Sequence, residues 1–167
     1  MTTKEICRVN LFPNARCVAT GKHESYTVNS SVEFGVVSSG LEWVRCSPVT
    51  LDRENSAAYF GDLRTIPGSE YVFRAKIHAS SKVQIRIFDN GSQTKLVDIN
   101  IPAMGSTYYE ARFTALSDDT TVRFEVPLVD GGYTMFTQPQ LELASTYDAA
   151  VSGGGLRFFA WDTMPRQ

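Results

Sequence analysis

The chain has 167 residues, 43% of them apolar and 20% charged, which fits one ordinary folded domain and excludes a disordered segment. Its 16 basic and 18 acidic residues nearly cancel and form no basic block, so the electrostatic footprint of a nucleic-acid binder is missing. Apolar runs of only a few residues leave no helix able to span a bilayer, and Met1–Cys7 lacks the apolar stretch of a signal peptide. The expectation is synthesis in a cytosol, with any exit by a route other than secretion, and no membrane insertion.

The first third is irregular, with short strands expected near Val9–Phe12, Tyr26–Val28, Ser31–Val37, Glu42–Cys46 and Ala57–Phe60. From the turn Pro67-Gly68-Ser69 the pattern sharpens. Glu70–Ala79 alternates, with Tyr71, Phe73, Ala75, Ile77 and Ala79 on one face and Arg74, Lys76 and His78 on the other. Val83–Asp89 follows with Val83, Ile85 and Ile87 on one side. Asn90-Gly91 then predicts a tight hairpin with positive φ at both central residues, leading into Lys95–Ile101. Tyr108–Ala115 and Thr121–Val126 alternate again, and Asp130-Gly131-Gly132 turns the chain into a last strand within Tyr133–Leu143. Many short strands with turns between them at roughly ten-residue spacing mean a sandwich or barrel. Ala144–Gly155 is small, polar and Gly-rich, and an aromatic run, Leu156 to Trp161, follows it. The reading is a β domain over residues 1–146, then a flexible linker and sticky tail over 147–167.

No nucleophile elbow, phosphate loop, dinucleotide fingerprint or zinc-protease motif occurs. Cys7, Cys17 and Cys46 are odd in number and form no CxxC, so they read as small apolar thiols rather than a disulfide or zinc framework. His78 belongs to a polar strand face and His23 to a loop. The carboxylates of Asp52, Glu54, Asp118 and Asp119 fall in turns, where local hydrogen bonding accounts for them. No catalytic residue, metal ligand or cofactor site is expected. Aromatic rings are the remaining candidates, since they stack on the C–H faces of sugars. Tyr71 and Phe73 belong to the core by their place in the pattern, whereas Trp43, Tyr59 and Tyr109 are the candidate glycan contacts.

Three stretches carry a likeness. Asn10-Leu11-Phe12-Pro13-Asn14 resembles the opening of carbohydrate-binding-module-like, galactose-binding-like sandwich domains. Leu63–Ala75 resembles their "pGxxYtfSa" strand, and Met135–Thr146 their closing "fdxxQLExGsxat" strand, so the likeness spans most of residues 10–146. Tyr147-Asp148, Gly153-Gly154-Gly155 and Phe159–Pro165 resemble the ending of minor tail proteins from phages of actinobacteria. The resemblance implies an all-β, two-sheet antiparallel jelly-roll sandwich in a virion, at a tail tip or as a capsid decoration, with no catalytic residues carried over. A structural calcium, which related sandwiches often hold, finds no assignable oxygens here. Pro139 departs from the pattern, and because proline cannot donate to a ladder it puts the pairing of the closing strand in doubt there. Asp162 also stands where a small polar residue follows the tryptophan.

Two functions stay open: a non-enzymatic virion component assembling with other virion proteins as a homo-oligomer, or an adhesion module gripping a cell-surface glycan. In the first, Phe158, Phe159 and Trp161 are the candidate partner contacts. Deleting residues 153–167 is expected to leave the β circular-dichroism spectrum intact and to lower the mass of the assembly in light scattering. Loss of the spectrum would make the tail part of the core.

Overall fold

The computed structural model describes residues 8–13, 17, 24–36 and 42–154. Among them are ten strands: β1 (Tyr26–Val28), β2 (Ser30–Val36), β3 (Glu42–Pro48), β4 (Ala57–Arg64), β5 (Glu70–Ala79), β6 (Val83–Asp89), β7 (Thr94–Ile101), β8 (Ser106–Thr114), β9 (Asp119–Glu125) and β10 (Thr134–Leu143). One helix, α1 (Ala144–Ser152), follows them. The strands form two five-stranded sheets, β1-β4-β9-β6-β7 and β2-β3-β10-β5-β8, and every pairing is antiparallel. This is the expected jelly-roll sandwich.

Alternation does what it must. On β5 the five expected residues turn inward, as do Val83, Ile85 and Ile87 on β6 and Val122 and Phe124 on β9. The centre is aromatic. Phe124 of one sheet stacks on Phe136 of the other at 4.3 Å, and Phe60 meets both edge-on at 5.4 and 5.3 Å. Phe12, from outside both sheets, packs on Phe60, Phe73 and Phe136 at 5.2, 6.2 and 5.9 Å. Each such ring removed from water contributes about 1.5–3 kcal/mol.

Residues 8–12 are held by side chains more than by a ladder. The expected strand Val9–Phe12 reduces to a single bridge at Val9 and one main-chain bond, Leu11 N–H to the Leu141 carbonyl at 2.8 Å. Asn10 supplies the rest. Its amide donates to the Pro139 carbonyl at 3.0 Å, and its oxygen accepts the Leu141 and Phe12 N–H groups at 3.0 and 3.1 Å. Pro139 breaks the β5–β10 ladder, as its missing N–H requires. The register slips between Thr137 and Gln140, and Gln138 takes a positive φ of 52°. Asn10 is the patch over that gap.

Two residues before Asn10, Arg8 makes a two-pronged ion pair with Glu142, both bonds 2.8 Å, with side chains only 3% and 0% exposed. Gln140 and Thr146 also donate to the carboxylate, at 2.5 and 2.9 Å, so each oxygen has two donors. A charge buried this deeply persists only when fully paired.

Two expectations are corrected. Residues 147–152, assigned to a linker, belong to α1. Tyr147 packs with Ala144 on Val72 of β5, and its hydroxyl donates to Glu110 at 2.7 Å. Asp148 takes both prongs of Arg112 at 3.0 and 2.6 Å. Composition suggested a linker because the helix spans only 9 residues and carries no side-chain cap; its alanines are good helix formers, and tertiary contacts hold it. The tight Asn90-Gly91 hairpin is instead a four-residue loop with positive φ at Gln93 rather than at Asn90 or Gly91. Asp89 captures it by accepting the Ser92 N–H and hydroxyl at 2.8 and 2.6 Å, and Ser117 donates to the same carboxylate.

Two predictions follow from these ties. Glu142→Ala strands Arg8 in the interior, and urea unfolding is expected to show a loss of about 3–5 kcal/mol with little change in slope; a loss under about 1 kcal/mol would contradict a structural role for the pair. The hydroxyls of Ser117 and Ser92, with the Ser92 N–H, hold the Asp89 carboxyl below the usual carboxylate range. A lowered folded pKa stabilises above the unfolded value of about 3.9 and is lost as pH falls below it. The melting temperature of Asp89→Asn is therefore expected to fall less than that of the wild type between about pH 5 and 3.

Candidate functional site

The outer face of the β2-β3-β10-β5-β8 sheet collects rings and cations. Val44 and Cys46 point inward on β3, so Trp43, Arg45 and Ser47 point outward. By the same parity Arg74, Lys76 and His78 leave the core on β5, and Tyr108 and Glu110 leave it on β8. Register sets the rows. Glu33, Arg45, Met135, His78 and Ser106 form one; Thr137, Lys76 and Tyr108 the next; Gln140, Arg74 and Glu110 a third. Helix α1 covers the end of this face beyond the third row, where Val72 lies.

Each ring on the face holds a cation. The Arg74 guanidinium carbon lies 3.9 Å from the Tyr108 ring centre and that of Arg45 4.7 Å from Tyr133. The Lys76 ammonium sits between Trp43 and Tyr108, at 5.8 and 6.0 Å. His78 stacks on Tyr133 with centres 5.5 Å apart, and its Nε2 shares a 2.9 Å hydrogen bond with the Tyr133 hydroxyl. The Tyr108 hydroxyl donates to the side-chain oxygen of Gln138, which the bulge turns toward it. Trp43 is 7% exposed, its register partner on β2 is Gly35, and Tyr108 is 41% exposed. Four buried side-chain polar atoms lack a hydrogen-bond partner among the described residues. Three of them, Trp43 Nε1, His78 Nδ1 and Gln140 Oε1, belong to this face. Unsatisfied groups are costly, and their concentration marks where a polar ligand has most to gain.

The three aromatic residues singled out from sequence do not share a surface. Trp43 is on this face. Tyr59 lies on the outer side of the opposite sheet, stacked on Tyr26 at 4.2 Å and receiving a 3.2 Å bond from Arg123 Nε. Tyr109 registers with Ala75 and packs against the core, leaving Tyr108 as the outward tyrosine of β8. The signal was available: Tyr109 shares parity with Ala111 and Phe113, and Phe113 is buried. From sequence, Arg74 and Lys76 read only as the polar face of their strand, and Arg45 carried no assignment. His78 is on the polar face where it was expected. Phe158, Phe159, Trp161, His23 and Cys7 lie outside the described residues.

Other places offer less. A cleft of about 710 Å³ at one end of the sandwich is lined by residues 27–30, 49, 50 and 52–55 and contains no ring. Its Asn29 side chain is already engaged with the Thr50 main chain, at 2.9 and 3.0 Å. Burial pushes the Cys46 thiol up to about 12, far from a nucleophile. Among the described residues no three of His, Cys, Asp and Glu converge as a metal site, and no helix is long and apolar enough to cross a membrane.

No protein-family model matches the chain, and no curated protein matches it in sequence. Solved structures do match in fold. A CBM4 carbohydrate-binding module superposes with a TM-score of 0.52 at 13% identity, over 68% of this chain and 77% of that one. The CBM22-1 xylan-binding domain from Paenibacillus barcinonensis Xyn10C gives 0.53 at 4% identity, over 81% and 92%. Tailspike protein 4 of bacteriophage CBA120, in its enzymatically active domain, gives 0.53 at 15% identity; the match covers 68% of this chain and only 18% of the tailspike. The chain therefore has the fold of carbohydrate-binding modules.

Proposed function

We propose that this protein is a non-catalytic glycan-binding module, that the outer face of the β2-β3-β10-β5-β8 sheet is its binding surface, and that it serves a bacteriophage particle by holding the host cell surface. The carrying observation is the meeting of Trp43, Lys76 and Tyr108 over a floor with three unpartnered polar atoms. A sugar ring offers an apolar C–H face and a rim of hydroxyls, so its receptor needs a flat ring and fixed donors and acceptors side by side. Tyr108 supplies the exposed ring, and Gln138, Gln140, His78 and the indole N–H supply polar partners. Lys76 is the flexible side chain a ligand displaces to reach Trp43. A rigid sheet is the right carrier, since its ring positions are set by pairing register rather than by loop conformation.

The phage setting rests on the likeness of residues 147–165 to minor tail proteins and on the tailspike among the fold matches. A homo-oligomer in that setting would present several copies of the face and gain avidity without new contacts.

Affinity electrophoresis against a panel of soluble polysaccharides tests the module. Retardation by at least one glycan is expected. Tyr108→Ala is expected to weaken it about tenfold, the equivalent of about 1.4 kcal/mol, with an unchanged circular-dichroism spectrum. Tyr59→Ala, on the opposite sheet, should leave it unaltered. Binding insensitive to Tyr108 but lost with Tyr59 would move the site to the other face, and a panel with no binder would end the glycan reading.

A further inference from the structure

We infer that the glycan taken by this face is anionic, its carboxylate, sulfate or phosphate groups held by Arg45, Arg74 and Lys76. The inference rests on the glycan reading above and narrows it.

The first ground is the state of the cations. The ion pairs within 4 Å among the described residues use Arg8, Arg64, Arg86, Lys95 and Arg112, but neither Arg45, Arg74 nor Lys76. The chain carries a formal net charge of −2, so three unpaired cations on one face are not the overflow of a basic protein. Of the carboxylates nearest by register, only Glu142 is ion-paired. Glu110, opposite Arg74, accepts the Tyr147 hydroxyl, and Glu142 is closed by Arg8. Glu33, opposite Arg45, and Glu110 are the acidic counterparts that stay exposed.

The second ground is geometry. Arg74 and Arg45 lie against tyrosine rings rather than reaching for carboxylates, and a guanidinium packed on a ring keeps N–H donors available at its edge. Arg45 uses Nε on Ser47 at 3.2 Å, leaving its terminal amino groups uncommitted among the described residues. Two guanidiniums and an ammonium on β3 and β5, with β10 between them, match a chain of repeated negative charge, with forked donors suited to planar carboxylates or to sulfate and phosphate oxygens. The opposite sheet spends its cations differently. There Arg86 and Lys95 share Asp98 at 2.9 and 2.8 Å, and Arg123 gives its Nε to the Tyr59 hydroxyl at 3.2 Å.

The test titrates the whole chain with polygalacturonate, dextran sulfate, a phosphorylated dextran and, as neutral probes, dextran and xylan, at low and at physiological salt. Binding to at least one anionic glycan about tenfold tighter than to the neutral probes is expected, falling as salt rises and lost in Arg74→Gln and Lys76→Gln. Which anionic probe binds best separates carboxylate from sulfate and phosphate. Equal, salt-independent binding of neutral and anionic probes would overturn the inference and leave the glycan reading standing. No binding to any probe or to the broader polysaccharide panel would remove both. Single-stranded DNA binding as tightly as the best glycan would reduce the face to a non-specific polyanion surface and overturn the inference as well.

Discussion

Glu142 brings a carboxylate into the wall of the sandwich, and a carboxylate there must meet donors on every side or it unfolds what surrounds it. Arg8, Gln140 and Thr146 meet it. Because these donors come from the segment before β1, from β10 itself and from α1, one charge ties the start of the chain to the junction of β10 and α1, 134 residues away. Asn10 and Phe12 follow within four residues of Arg8, one mending the β10 ladder and the other completing the aromatic core. Anchoring Arg8 therefore also positions the ring that bridges the two sheets.

The same arrangement limits where a ligand can sit. Helix α1 starts directly after Leu143, where Thr146 can reach Glu142, and it lies over Val72. That leaves the three rows of rings and cations between β2 and β8 for other uses. Stability and recognition share one sheet face but occupy different ends of it.

Much of this could be read from the residues. The alternation of Tyr71 to Ala79 and Val122 to Val126 was legible because one face of each strand is dry and the other wet, so a single parity satisfies every residue. The opening motif could be recognised, though not its action through side chains. Helix α1 was illegible because its buried contacts are few, Ala144 and Tyr147 chief among them, and short helices owe their existence to what they touch. The Asn90-Gly91 turn lost to Asp89, whose carboxylate gains more from Ser92 and Ser117 than a two-residue turn offers. Trp43 was a candidate contact from sequence, and the burial of Val44 and Cys46 fixes it on the outer face. The cations were overlooked because a charged residue on a strand face is ordinary; what distinguishes Arg74 and Lys76 is the partner each does not have, which no single sequence states.

The bulge at Gln138 and Pro139 acts as a shift of phase. Phe136 faces the core, and strict alternation would carry that parity to Gln140 and Glu142, sending an amide and a charge into the aromatic centre and Leu141 outward. The extra residue reverses the parity midway, so that Thr137 and Gln140 share the outer face while Phe136 and Leu141 share the inner one. The inward-facing residues of β10 fall on even numbers before the bulge and odd numbers after it. In evolution such a strand behaves like a reading frame. Substitutions along it are absorbed one at a time, but loss or gain of a single residue between Thr137 and Gln140 would exchange core and surface for everything downstream, and only a second compensating change of length would restore it.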